Sequence, residues 1–146
     1  MYSFEEDKLI NEIKERTPKR ILLQLPEGLK KEAVRLANFI QDKCNAEGIV
    51  SGEPVWGACD VAISQAQSLN ADLIIHFGHA EFIRNKFPIL YVEVHDELDL
   101  RPLLKKSLPS IKKFKTIGIS YSIQHKDNLD QIIKFYEGNG KNVVVS

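Results

Sequence analysis

Residues 20–40 read RILLQLPEGLKKEAVRLANFI, and this stretch decides the fold. Residues 20–25 form a short apolar run rich in strand formers, and Pro26, Glu27 and Gly28 break it. The apolar residues that follow recur at helical spacing: Leu29, Ala33, Leu36, Ala37 and Ile40. The pattern therefore predicts a buried strand, a turn and an amphipathic helix in direct succession.

The same alternation continues along the chain. Further strands are predicted at residues 49–50, 72–77, 89–94, 116–120 and 142–145. Helices are predicted to begin at a capping box formed by Ser3 and Glu6, at an N-cap on Asp60, and near Leu98 and Leu129. Strands that alternate with helices predict an α/β fold, a three-layer αβα domain with a parallel sheet.

An internal repeat is predicted from the order of these elements. Ile21 matches Ile117 and Val50 matches Val144 or Val145, an offset of about 95 residues. Residues 1–110 are thus expected to form a first αβα domain, and residues 111–146 the truncated start of a second. Cys59 lies nine residues after Val50, so its equivalent is expected at position 153 or 154, beyond this chain.

Composition excludes several classes of function. Lysine and arginine number 20 and aspartate and glutamate also number 20, so the basic excess typical of direct nucleic-acid binding is missing. No apolar run approaches the ~20 residues that span a bilayer. The acidic start, MYSFEEDKL, is unlike a signal peptide. We therefore expect a cytoplasmic protein without membrane or nucleic-acid partners, and no disulfide between Cys44 and Cys59.

Polar residues follow the ends of the predicted strands, where open parallel sheets bind ligands. All four histidines fall there, namely His76, His79, His95 and His125. His76 has two readings, a hydrogen-bonded core histidine or a ligand residue, and His79 is the better functional candidate because it follows Gly78 in the loop. These positions predict a ligand site at this edge of the sheet.

Cys59 also has two readings. A lone cysteine is often a small buried apolar residue. In the segment Val55 to Asp60 (VWGACD), however, Gly57 allows close backbone approach and Asp60 is expected to start a helix, whose N-terminus would favour a thiolate. Cys44 is interpreted as structural or incidental.

Five motifs together resemble a known family. They are LQLPEGL (residues 23–29), WGACDVA (56–62), HFGHA (76–80), YVEV (91–94) and IQH (123–125). The chain resembles the N-terminal portion of the 2-(3-amino-3-carboxypropyl)histidine synthase family of diphthamide biosynthesis, in its archaeal single-gene form.

The resemblance implies a fold and a chemistry. Three similar αβα domains would each lend one cysteine to a 4Fe–4S cluster, and the open iron would bind S-adenosylmethionine as substrate. Reductive cleavage would give a 3-amino-3-carboxypropyl radical, which adds to a histidine of elongation factor 2. The implied partners are elongation factor 2, an electron donor and, for the full-length protein, a second copy in a homodimer.

The resemblance also assigns residues. Cys59 matches the first cluster ligand, and substrate-binding loops match Glu27, Gly28, Gly78, His79, Gln124 and His125. One thiolate cannot hold a 4Fe–4S cluster, so this chain by itself is expected to be inactive. The alternative is a non-catalytic α/β scaffold or small-ligand-binding module of a complex. Quinolinate synthase is a more remote analogue whose loops fit less well.

Overall fold

A computed structural model describes residues 2–146, which divide into two compact units. The large unit is Phe4–Val94, and the small unit is His95–Ser146 together with Tyr2 and Ser3. In chain order the elements are β1 (Tyr2–Ser3), α1 (Glu6–Arg16), β2 (Arg20–Gln24), a 3₁₀ segment (Glu27–Glu32), α2 (Ala33–Cys44), β3 (Glu47–Val50), α3 (Ile63–Ser68), β4 (Leu73–Phe77), β5 (Ile89–Val92), β6 (His95–Asp96), α4 (Arg101–Ile111), β7 (Thr116–Ile119), a second 3₁₀ segment (Ile123–Asn128), α5 (Leu129–Gly138) and β8 (Asn142–Val145).

The large unit is built on a four-stranded parallel sheet in the order β3-β2-β4-β5. Leu22 of β2 lies opposite Ile49 on one side and Ile74 on the other, so β2 is a central strand. All five residues of β4 are buried, so the strand predicted at residues 72–77 is covered on both faces.

Helices cover both faces of this sheet. On one face Leu23 and Ile75 pack in a core with residues of α1 and α2, including Leu9 and Leu36. On the other face Leu22 and Ile74 pack with Ala66 of α3. Successive strand residues point to opposite faces, so each strand feeds both cores. The predicted three-layer αβα domain is confirmed.

The small unit contains two two-stranded sheets. Strands β7 and β8 pair in parallel, with Ile117 opposite Val143, and β1 pairs antiparallel with β6. Lys141 ends the loop before β8, and its Nζ donates to the main-chain carbonyls of Ile111, Lys112 and Phe114 at 3.1, 3.1 and 2.8 Å. A cation at the end of α4 also stabilises the negative end of the helix dipole.

One stretch of each unit has the same element order. In both, a strand, a 3₁₀ segment, a helix and a parallel partner strand follow one another, and the 3₁₀ segments and helices begin 96 residues apart. The units divide between Val94 and His95, so α4 belongs to the small unit. This division does not decide whether residues 111–146 begin a second copy of the domain, which stays a prediction.

Several predicted boundaries were wrong. Ser3 does not cap α1, because it lies in β1, and Glu5 in a left-handed conformation precedes the helix without a side-chain cap. Asp60 does not cap α3, which begins three residues later behind Ala62. The strand predicted to reach residue 94 ends at Val92. Among the described residues no helix is both long and apolar enough to cross a bilayer.

Candidate functional site

Cys59 lies in a tight turn after β3. The turn is closed by the Asp60 N–H, which donates to the Gly57 carbonyl at 3.0 Å. Val55 and Ala58 are buried and anchor the segment, whereas Trp56 and Cys59 are exposed. The reading of Cys59 as a buried apolar residue is therefore wrong. The expectation that a helix N-terminus favours its thiolate is also wrong, because α3 starts four residues further on.

Space is open beside the thiol. A Cβ built on Gly57 would meet one neighbour within 4 Å, the Cys59 Sγ at 3.7 Å. The backbone therefore passes close to the sulfur without a side chain in front of it. An exposed thiol on an anchored turn is well placed to bind a ligand from solvent or from another part of a protein.

Gln24, the last residue of β2, holds this turn. Its side chain is fully buried, and its Nε2 donates to the Asp60 carbonyl at 2.6 Å. Its Oε1 accepts from the Ala62 N–H at 3.2 Å. The two bonds connect the central strand to the residues that directly follow Cys59, so the carboxyl end of the sheet fixes the position of the turn.

His76 extends the same network from β4. Its Nδ1 lies 3.0 Å from Gln24 Oε1, and its Nε2 lies 3.0 Å from His79 Nδ1. Burial, and to a lesser extent the neighbouring His79, lowers the pKa of His76 to about 4, and the Asp60 carboxylate opposes the shift. His76 is therefore neutral near pH 7. Burial also lowers the pKa of the half-buried His79.

Gly78 directly follows β4 and lies close to the loop after β2. Its φ is +81°, and its N–H donates to the Val92 carbonyl at 2.8 Å. A Cβ here would lie 3.4 Å from Pro26 Cγ and 3.6 Å from Leu29 Cδ1. The left-handed backbone explains why a glycine occupies this tight turn.

Glu27 and Gly28 begin the 3₁₀ segment, and both are exposed. Glu27 pairs with Lys30 at 2.5 Å. Lys30 also donates to the carbonyls of Gly52 and Glu53 at 3.1 and 2.9 Å, which ties the 3₁₀ segment to the loop that leads to Cys59. Sequence reasoning missed Lys30, because its spacing from Glu27 indicates no more than a surface ion pair.

The remaining predicted site residues lie in the small unit. Gln124 and His125 are half-buried in the second 3₁₀ segment, and the His125 N–H donates to the Ser122 carbonyl at 2.9 Å. His95 is buried, with its Nδ1 3.0 Å from an Asp127 carboxylate oxygen. The large unit thus brings together Glu27, Gly28, Cys59, Gly78 and His79 at the carboxyl edge of its sheet.

A shallow groove of about 540 Å³ adjoins this edge and is lined by Asp60, Val61, Ser64 and Gln65. A cavity of about 580 Å³ lies at the opposite edge, beside Asp72, the residue that precedes β4. Open parallel sheets bind ligands beyond the carboxyl ends of their strands, so the groove beside the Cys59 turn is the relevant one.

Cys59 offers one thiolate donor. Within residues 2–146, no cluster of three or more histidine, cysteine or acidic side chains could hold a metal ion. Cys44 is half-buried, and burial raises the pKa of its thiol. The donor type suits iron–sulfur chemistry, in which thiolates are the usual ligands, but the remaining ligands of a cluster would have to come from elsewhere.

The fold and this edge define a class: an αβα domain that presents an exposed cysteine, a histidine pair and glycine turns where parallel sheets bind ligands. Residues 25–146 match the family described as "Putative diphthamide synthesis protein". The chain belongs to this family.

Individual relatives and a solved structure support this family assignment. The chain is 31% identical to 2-(3-amino-3-carboxypropyl)histidine synthase of Pyrococcus horikoshii, over 99% of this chain and 43% of the relative. It is 32% identical to subunit 1 of that synthase from Schizosaccharomyces pombe, over 96% of this chain and 34% of the relative. The crystal structure of Dph2 from Pyrococcus horikoshii with a 4Fe–4S cluster matches with a TM-score of 0.84 at 31% identity, over 98% of this chain and 43% of that one. The chain therefore spans less than half the length of these proteins.

Proposed function

We propose that this chain is the N-terminal portion of an iron–sulfur enzyme that transfers the 3-amino-3-carboxypropyl group of S-adenosylmethionine to a histidine of elongation factor 2. The main observation that supports this proposal is Cys59, an exposed thiol on an anchored turn at the carboxyl edge of the sheet. A solved structure 31% identical to this chain holds a 4Fe–4S cluster. The chain alone would be inactive.

In this proposal Cys59 is one of three protein ligands of a 4Fe–4S cluster, and the others lie outside this chain. The cluster would supply an electron to the sulfonium of S-adenosylmethionine, in a radical mechanism. The residues described above fit this role, because the sulfur is exposed and no side chain stands between Gly57 and Sγ. Buried Val55 and Ala58 would keep the ligand in place.

The loops at the same edge would bind the substrate. Glu27 and Gly28 are exposed on the 3₁₀ segment, and Gly78 turns the chain so that His79 follows β4 directly. Gln124 and His125, which lie in the small unit, are also proposed to bind the substrate. We further propose cytoplasmic action, with an electron donor, elongation factor 2 and, in the full-length protein, a second copy as partners.

The test uses the full-length protein that contains this sequence, purified without oxygen. We expect about four irons and four sulfides per chain, and a mass increase of elongation factor 2 when S-adenosylmethionine and a reductant are added. Cys59→Ala should abolish both results, whereas the matched control Cys44→Ala should retain both.

Two outcomes would contradict the proposal. A colourless, iron-free protein that leaves elongation factor 2 unmodified would favour the scaffold or small-ligand module instead. A chain that keeps its full iron content and activity after Cys59→Ala would remove Cys59 from the cluster.

A further inference from the structure

Gln24 and His76 form an ordered chain of hydrogen bonds that ends at His79. We propose that Gln24 and His76 are positioning residues that hold His79 in one tautomer, with a proton on Nδ1 and Nε2 free to accept a hydrogen bond from a ligand. Gln24 and His76 lie within the motifs LQLPEGL and HFGHA, but neither is among the residues that the resemblance assigns to substrate or cluster binding. The inference rests on four contacts within the large unit.

The orientation of the Gln24 amide is fixed first. Its Nε2 faces the Asp60 carbonyl at 2.6 Å and its Oε1 faces the Ala62 N–H at 3.2 Å. If the amide were turned over, Gln24 Oε1 would face the Asp60 carbonyl oxygen and Gln24 Nε2 would face the Ala62 N–H, and neither pair can form a hydrogen bond. The backbone therefore determines which end of Gln24 points toward His76.

The tautomer of His76 follows from that orientation. Gln24 Oε1 can only accept, so His76 Nδ1, 3.0 Å away, must carry a proton. His76 is fully buried and neutral, so its Nε2 must then be an acceptor. A carbonyl oxygen has two lone pairs, and Gln24 Oε1 uses them for the Ala62 N–H and the His76 Nδ1–H.

The tautomer of His79 follows in the same way. His76 Nε2 accepts, so His79 Nδ1, 3.0 Å away, must donate. In the neutral ring the remaining nitrogen, Nε2, then has a free lone pair. His79 is half-buried and so remains accessible to a ligand at the edge of the sheet. A rigid acceptor at this position suits a nitrogen donor, and a protonated amine best of all.

The choice of ligand rests on the proposed function. The group named in the relatives, 3-amino-3-carboxypropyl, carries an amine that is protonated at neutral pH. His79 Nε2 would accept a hydrogen bond from that amine and so orient the substrate. Gln24 would then serve two purposes, because it also holds the residues that follow Cys59.

Nitrogen NMR tests the tautomers without any cluster or substrate. In this chain, labelled with ¹⁵N-histidine at pH 8, His76 and His79 should both show a protonated Nδ1 and an unprotonated Nε2. Gln24→Leu removes the acceptor, so both rings should change to the Nε2–H form. The matched control Gln65→Leu makes the same chemical change in α3 and should leave both rings unaltered.

Two NMR results would overturn the inference. One is a wild-type His79 with a protonated Nε2, which needs no variant to observe. The other is a folded Gln24→Leu chain with unchanged rings. If Gln24→Leu fails to fold, His76→Phe replaces it, because the loss of the His76 acceptor should still move His79 away from its Nδ1–H form.

The ligand is tested in the full-length enzyme. His76→Phe leaves the bonds from Gln24 to Asp60 and Ala62 in place, so it should raise the KM for S-adenosylmethionine about tenfold, the loss expected for one hydrogen bond to a charged group, and change kcat much less. An unchanged KM, with the tautomers as expected, would overturn the amine as ligand. A wild-type enzyme without transferase activity would instead contradict the proposed function and leave the NMR result standing.

Discussion

Two stretches of the molecule share one local plan but differ in how completely they are enclosed. In the large unit β2 lies between β3 and β4, and four of its five residues are buried. In the small unit β7 pairs with β8 within the described residues, and none of its four residues is buried. The order of strand, 3₁₀ segment, helix and strand is thus a local property, whereas burial depends on the neighbouring strands.

The largest expected difference in the free energy of unfolding is between equivalent positions of β2 and β7. Leu23→Ala removes a fully buried side chain from the centre of the sheet and should reduce the free energy of unfolding by about 2–5 kcal/mol. Ile119→Ala, 96 residues later, removes a half-buried side chain and should cost about 1 kcal/mol. Urea unfolding measures the loss, and amide hydrogen exchange assigns it to a unit. Equal losses would mean that the two strands are equally enclosed.

The second effect concerns how closely helix and strand approach. Gly48 of β3 faces α2 so closely that a Cβ would lie 3.0 Å from Ala37 Cα and 3.2 Å from its carbonyl oxygen. Val143 occupies the same register in β8. Gly48→Val should therefore cost about 2–3 kcal/mol through overpacking.

The control for Gly48 is the same substitution in the other stretch. Gly118 of β7 has open space around its Cα, so Gly118→Val should be neutral or slightly stabilising, because valine favours strands. The same thermal or urea unfolding measurement compares the two. A tolerated Gly48→Val would show that α2 can move away from β3 at little cost.

The third effect tests the turn that carries His79. Gly78→Ala places a side chain at φ +81° and should cost about 1–2 kcal/mol. Gly28→Ala is the control, because it has open space and no positive φ, and it should change stability by less than about 0.5 kcal/mol. At the position equivalent to Gly28, the small unit has Gln124, which also indicates that glycine is dispensable there. A neutral Gly78→Ala would mean that the loop relaxes to another conformation.

The fourth expected effect is a pH dependence of the free energy of unfolding, which arises at the amino end of β2. Asp72 accepts hydrogen bonds from the main-chain N–H groups of Lys19 and Arg20 at 2.8 and 2.9 Å, and these bonds hold the pKa of its carboxyl below the usual value. A lowered pKa stabilises the fold above the unfolded-state pKa, about 3.9, and that stabilisation is lost as the pH falls through the folded-state pKa.

Because Asp72 is exposed, the contribution should be less than about 1 kcal/mol. Asp72→Asn keeps an oxygen acceptor and should abolish this part of the pH dependence. Urea unfolding of both chains between pH 7 and pH 3 makes the comparison. Parallel curves would show that Asp72 does not contribute.

Much of the fold was predictable because burial and strand composition coincide in the large unit. The run at 72–77 is apolar throughout, and a strand covered on both faces needs that composition. Boundaries set by main-chain geometry were less predictable. Glu5 adopts a left-handed conformation that no residue pattern announces, so the helix started without the expected Ser3 cap.

The candidate site was predictable in its position but not in its connections. Strand ends indicated where Cys59, Gly78 and His79 would gather. The bonds from Gln24 to Asp60 and Ala62 join residues that are 36 and 38 positions apart, and no local pattern encodes them. From the sequence, Gln24 is only a polar residue at the end of a strand, since its importance depends on which loop folds over it.

The smallest expected effect on stability belongs to Cys59. Cys59→Ala should change the free energy of unfolding by less than about 0.5 kcal/mol, because the thiol is exposed. Cys44→Ala, the control, removes a half-buried sulfur that packs against the main core and should cost about 1 kcal/mol. Cys59 should also react with iodoacetamide before Cys44, whose pKa is raised by burial, as peptide mass mapping would show. A loss of ~2 kcal/mol or more for Cys59→Ala would instead mean that its sulfur packs in the fold and is not available as a ligand.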